Sequence, residues 1–144
     1  MVPMLRSRRS RRGTAAVEFA VLLPFLMFLF VIAVDYCRIF YYTVTIENCA
    51  YNGALFGSQS INSSQWENNG NLIASVQDAA VADGAKLNPA LAASNVGVTN
   101  GKDADGNSIV QVKITYAFNT ITKYPGIPSP VSLVRTVQMR VAPP

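Results

Sequence analysis

Residues 11–35 read RRGTAAVEFAVLLPFLMFLFVIAVD, and this stretch decides how the rest of the chain is arranged. A cluster of arginines stops at Gly13, and from residue 14 to residue 34 the only charged side chain is Glu18. Twenty-one residues at about 1.5 Å each give a helix on the order of 31 Å long, close to a hydrocarbon core of roughly 30 Å. One membrane crossing is the direct consequence. Arg6, Arg8, Arg9, Arg11 and Arg12 precede the span. The positive-inside bias keeps such a flank in the cytoplasm and sends everything after Val34 to the far side.

Two residues in this window carry more than the span itself. Gly13 has no side chain, so its backbone can approach a protease closely, and the arginines before it hold that peptide at an anionic membrane surface. A glycine in this place is otherwise an ordinary boundary before a helix. Glu18 is the sharper signal, because a carboxylate in an apolar segment is costly and needs a partner. Its plain alternative is to snorkel at the membrane edge.

Taken together, the basic leader, Gly13, Glu18 as the fifth residue after it, Phe19 and an apolar helix containing Pro24 resemble the N-terminus of type IV-pilin-like proteins. The words GTAAVEFAVLLPFLM are most similar to the TadE-like family of tight-adherence (Flp) pilus systems. The resemblance implies a non-enzymatic minor pilin or pseudopilin of the bacterial inner membrane, with a single span and an extracytoplasmic C-terminal domain, in or at the base of a surface pilus. It implies cleavage by a prepilin peptidase between Gly13 and Thr14, with Glu18 and Phe19 serving assembly and Pro24 bending the helix. The implied partners are that peptidase, other pilin-like subunits and pilus assembly components, and the lipid bilayer. Beyond Asp35 the likeness is looser and rests on a plan of long helix, second helix and a few strands.

Other N-terminal readings compete. A cleaved signal peptide has an apolar core of about 7 to 15 residues. This core is longer, Glu18 interrupts its start, and Val31-Ile32-Ala33 makes a poor cleavage site. A lipoprotein cut before Cys37 would follow Asp35 and Tyr36, where small residues belong. The pairs Arg8-Arg9 and Arg11-Arg12 resemble a twin-arginine signal, but Gly13 and Thr14 follow instead of apolar residues. An uncleaved signal anchor tethering an extracytoplasmic ligand- or protein-binding domain is the alternative that stays open.

The net charge of +4 belongs to the leader. Five of twelve basic residues lie in residues 1–13 with no acid, leaving seven basic against eight acidic side chains, a balance of −1. Nothing in that remainder points to a nucleic-acid partner. Cys37 and Cys49 are twelve positions apart on what reads as one helix, a separation of about 18 Å against a limit near 7 Å for a disulfide. They cannot pair with each other. They either pack as small apolar residues or one bridges to another chain.

After Asp35 the all-apolar pattern becomes one-sided. Ile39, Tyr42, Ile46, Cys49, Ala50, Gly53 and Ala54 recur at spacings of three and four, while Arg38, Glu47 and Asn52 lie elsewhere. The helix should therefore continue to about Gly57 with one face on a core. Small residues at Ala50, Gly53, Ala54 and Gly57 admit a close neighbour, and Asp35 and Arg38 are spaced to pair at the membrane exit. Residues 57–71 have the composition of a loop, with Trp66 its one large apolar residue. Asn71 can cap a second helix reaching about Lys86, with Leu72, Val76, Ala79, Ala80 and Leu87 as its stripe and Asp78 and Asp83 in water. Pro89 prevents its continuation.

From residue 96 the period is two. Val96 and Val98 precede a turn segment spanning residues 100–107, and Val110, Val112, Ile114, Tyr116 and Phe118 share one face of the next strand. Asp103, Asp105 and Asn107 resemble a calcium loop only faintly, because the sixth position is Ser108 and the twelfth Ile114 where glycine and glutamate belong. Turn chemistry explains them. Pro125, Pro128 and Pro130 mark an extended connection. The last strand, residues 131–141, turns Val131, Leu133, Val137, Met139 and Val141 inward, with Arg135 on the same side and no partner evident.

Catalytic and metal chemistry has little to stand on. The chain has no histidine, hence no usual triad and none of the commonest metal ligand. Two distant cysteines make no zinc spacing, and no glycine-rich phosphate loop follows a strand. No cofactor and no enzyme activity are expected. The expected fold is α+β: a basic leader (1–13), a transmembrane helix (14–34), its extracytoplasmic continuation (35–57), and a head (58–144) with a second helix and an antiparallel sheet of three or so strands.

Overall fold

The computed structural model describes residues 12–59, 70–121 and 129–141. The leader up to Arg11, Trp66 with most of its loop, and Pro125 and Pro128 lie outside these residues. Five elements follow in order: α1 (Arg12–Gln59), α2 (Gly70–Gly84), β1 (Val96–Lys102), β2 (Ser108–Phe118) and β3 (Val131–Arg140). The architecture is α+β, with a long N-terminal apolar helix, a second helix and one three-stranded antiparallel sheet in the order β1-β2-β3.

α1 passes through Pro24 without interruption and continues two residues past Gly57. Its first part, residues 13–30, is exposed on every face, whereas from residue 35 one face is buried. That face carries Tyr42, Ile46, Cys49, Ala50 and Ala54, with Ile39 packed at its margin, as the three-and-four spacing requires. It lies against β2 and β3, and α2 packs beside it on the same side of the sheet, reaching β1. At Gly53 both layers approach closely. A Cβ there would sit 3.0 Å from Ala80 Cβ, 3.3 Å from the Val76 carbonyl oxygen and 3.5 Å from Val112 Cγ1. Gly53 thus admits helix and sheet together.

β2 is the central strand and supplies most of the sheet's core. Val110, Val112, Ile114, Tyr116 and Phe118 are all buried, while Lys113, Thr115 and Ala117 alternate outward. This strict period of two is the signature of a sheet wet on one face. β3 pairs with it from Ile109↔Arg140 to Phe118↔Val131, and Val141 closes the core beyond the strand end.

Three boundaries differ from expectation. Asn71 lies inside α2 rather than at its cap, and the helix ends at Gly84, short of Lys86. Leu87 N–H and Leu91 N–H both donate to the Gly84 carbonyl, folding the chain back before Pro89. β1 runs through Lys102, pairing Asn100 with Val110 and Lys102 with Ser108, so the turn is only residues 103–107. Asn100-Gly101 has turn composition, but ladder hydrogen bonds to β2 satisfy its backbone, and the reversal is made further on. There Asp103 N–H donates to the Asn107 carbonyl at 2.9 Å, and Gly106 supplies the left-handed φ of 83°.

Candidate functional site

The candidate processing and assembly residues all lie on the first part of α1. The Gly13–Thr14 peptide lies within the helix rather than before it. Among the described residues, nothing lies within 4 Å of the space a Cβ on Gly13 would occupy. Glu18 and Phe19 are exposed, and Thr14 sits one turn before Glu18. The segment is a bare apolar rod with one carboxylate near its start. A helix from Gly13 to Gln59 is long and apolar enough to cross a membrane, and its most apolar window has mean hydropathy 2.7 with none of it buried in the protein.

Where the rod meets the head, the structure builds something that the spacing only partly indicated. Asp35 pairs with Arg38 at 3.4 Å, as three-residue spacing allows, but its residue is only 4% exposed. The same Oδ1 accepts the backbone N–H of Ile121 at 3.1 Å, from the segment that follows β2. Arg38 in turn stacks its guanidinium 5.1 Å over the Phe118 ring. Tyr42 meets Phe118 edge-on at 5.0 Å and Tyr116 at 5.6 Å. Both tyrosine hydroxyls are spent on carbonyls of the loop after α2, Tyr42 on Asn88 at 3.3 Å and Tyr116 on Pro89 at 2.7 Å. Burial, with Tyr42 alongside, pushes the Tyr116 hydroxyl above its ordinary pKa and keeps it a donor. The result is a clasp at the foot of the head, in which a buried carboxylate, a cation and three rings join α1 to the end of β2 and to the loop after α2. The signal was present: Asp35, Ile39, Tyr42 and Ile46 share one helical face, so the acid had to be buried along with them.

Higher up the helix the joints are weaker. Asn52 Nδ2 donates to the Asp83 carboxylate, Gln77 Nε2 donates to the Val96 carbonyl at 2.8 Å, and Arg135 finds Glu47 at 3.8 Å. Arg135 thus has the partner that strand periodicity alone did not name. The two cysteines are free and unequal. Cys49 is packed in the core, where burial first and the Asp83 charge second push its thiol up to about 11. Cys37 is exposed on the other side of α1, so apolar packing describes only Cys49. At the far end of the head, Asp103 is occupied by its own turn and by Arg140 at 2.8 Å. Among the described residues no group of three or more histidine, cysteine, aspartate or glutamate side chains is placed to hold a metal ion.

Residues 13–55 match the family model described as TadE-like protein. The matched window opens at Gly13, contains Glu18, Phe19 and Pro24, and extends through the clasp into the core-facing half of α1. No curated protein and no solved structure matches the chain.

Proposed function

We propose that this chain is a non-enzymatic TadE-like minor pilin or pseudopilin of a tight-adherence (Flp) pilus, inserted as a single-span precursor and cut between Gly13 and Thr14. The observation that carries the reading is the TadE-like match over residues 13–55, which opens at the glycine where a prepilin peptidase would cut. The arginines hold the leader at the cytoplasmic face, and the head lies outside the inner membrane. Pro24 removes one helical hydrogen bond and bends the span.

Glu18 has a defined task in this scheme. Cleavage creates an α-amino group on Thr14, largely protonated at neutral pH because its reference pKa is about 7.7 to 8.0. It stands one turn, about 6 Å, from Glu18 and can pair within a chain or between neighbours. Such a contact at 4 Å is worth about 4 kcal/mol of Coulomb attraction at an effective dielectric near 20, before desolvation. An acid at mid-membrane costs about 2.5 to 3.5 kcal/mol on insertion scales, so pairing can offset the burial.

N-terminal sequencing of the membrane-extracted protein tests the processing step. A start at Thr14 supports it; an intact Met1 supports the uncleaved signal anchor, and a start near Val34 a signal peptide. A periplasmic-active reporter fused after Pro144 should be active and a cytoplasmic-active one silent. Glu18→Ala should insert and be cleaved normally on immunoblots, yet fail to co-purify with pilus assembly components, with Glu18→Asp intermediate. Full recruitment of Glu18→Ala would refute the pairing, and loss of cleavage would assign Glu18 to the peptidase instead.

A further inference from the structure

The clasp fixes more than the angle of the head. Ile121 is 61% exposed, yet its backbone is tied to Asp35, one residue beyond the last position of the apolar run. A large apolar side chain on the head is therefore held at the level where the hydrocarbon ends. On the other side of α1 at that level stand Tyr36 and Phe40, each 72% exposed, and Tyr41 at 55%. At 1.5 Å per residue they lie about 3, 9 and 10 Å beyond Val34, in and just past a headgroup layer on the order of 5 to 8 Å deep. Tyrosine suits this layer, since its ring is apolar and its hydroxyl wet. Among the described residues at that level, the charge of Arg38 is paired with Asp35.

From this juxtaposition we infer that the foot of the head rests on the lipid surface, with Ile121 on one side of α1 and Tyr36 on the other inserted into the headgroup layer, and Phe40 at its outer edge. The occupant is the bilayer that the same helix crosses, since these residues continue the lipid-facing surface of the span without a break. This inference rests on the single-span reading and deepens it. A head tied at this level has its depth set by Ile121 as well as by the span, so it cannot ride up and down the helix or stand clear of the membrane.

The test is site-directed spin labelling of the full chain in phosphatidylethanolamine–phosphatidylglycerol vesicles, on a Cys37→Ser background with the buried Cys49 left in place. Nitroxides at Ile121→Cys, Tyr36→Cys, Leu26→Cys and Ala104→Cys are compared for accessibility to oxygen against a water-soluble nickel chelate. Leu26 lies in the span, and Ala104 in the turn at the opposite end of β2, roughly 33 Å from Phe118 along the strand. The expected oxygen-to-nickel ratio is highest at 26, severalfold above the Ala104 value at 36 and 121, and lowest at 104. If site 26 is lipid-exposed while 36 and 121 read like 104, the inference fails and the span stands. Lipid exposure at 36 but not at 121 overturns the contact by the head. An aqueous reading at 26 overturns the span, and this inference with it. Both test positions are exposed, so neither label perturbs the core, and each reports independently of the other.

Discussion

Residues 14–34 and residues 35–59 belong to one uninterrupted helix, yet they solve different solvation problems. The first part is apolar on all faces and exposed on every face up to residue 30, because its solvent is the same in every direction. The second is apolar toward the sheet and pays for each buried polar group with a partner, because one side is core and the other is not. Asp35 marks the change. It is the first residue after Val34 and is already committed to the head, through Arg38 and the Ile121 N–H. Helix propensity does not distinguish the two parts; their neighbours do.

The sharpest way to break this comparison is to remove the same kind of side chain from each part. Ile46 is completely buried between α1 and the sheet, so Ile46→Ala loses transfer energy and leaves a cavity, a cost of about 2–5 kcal/mol. Leu26→Ala, on the exposed rod, should leave head unfolding unchanged. Urea titration of both variants in the same detergent, followed by near-ultraviolet circular dichroism, reads the difference. Equal losses would mean that the two parts of α1 do not divide as described.

A smaller effect is expected at the boundary itself. Asp35→Ala leaves the Ile121 N–H and the Arg38 guanidinium without their shared acceptor, which should cost about 1–3 kcal/mol. Asp35→Asn keeps an acceptor oxygen for Ile121 and loses only the charge, so its cost should be the lesser one. The same titration separates them. If both variants match wild type, the clasp holds nothing.

How much of this could be seen beforehand depended on whether the physics was local. The inward set on β2 and the core face on α1 were legible, because periods of two and of three to four record which side is apolar regardless of the partner. The small residue at Gly53 announced a close approach, although not that helix and sheet would meet there together. The Asp35–Arg38 pair was legible from its spacing, but Ile121 as the second partner of Asp35 and Glu47 as the partner of Arg135 were not. Ile121 is 86 residues from Asp35 and Glu47 is 88 from Arg135, and spacing within one element says nothing about which distant chain arrives opposite. The end of β1 was misplaced for a related reason: Asn100-Gly101 has turn composition, and pairing with β2 overrode it. Of the candidate site, Gly13 and Glu18 were legible as anomalies, a bare glycine and a lone acid in an apolar run. The exposed foot at Ile121 required the fold.

The smallest effect lies at the other end of the head, in the turn that holds Asp103. Burial in the turn acts to raise its pKa. The N–H groups of Asn107 and Asp105 and the charge of Arg140 outweigh that, and the carboxyl is held below its ordinary value. A carboxyl with a lower pKa folded than unfolded contributes stability while it is ionised in both states. That contribution is present above the unfolded value near pH 4 and is lost as pH falls through the lower folded value. Asp103→Asn keeps an acceptor for the turn but cannot ionise, so wild type should melt higher than the variant at neutral pH, and the gap should close as the solution is acidified. Arg140→Ala should narrow the gap without abolishing it, because the turn's own N–H groups remain. Thermal melts of the three proteins from neutral pH down through the carboxylate range measure this. A gap that stays constant, or widens toward acid, would show that Asp103 is not held ionised by its turn.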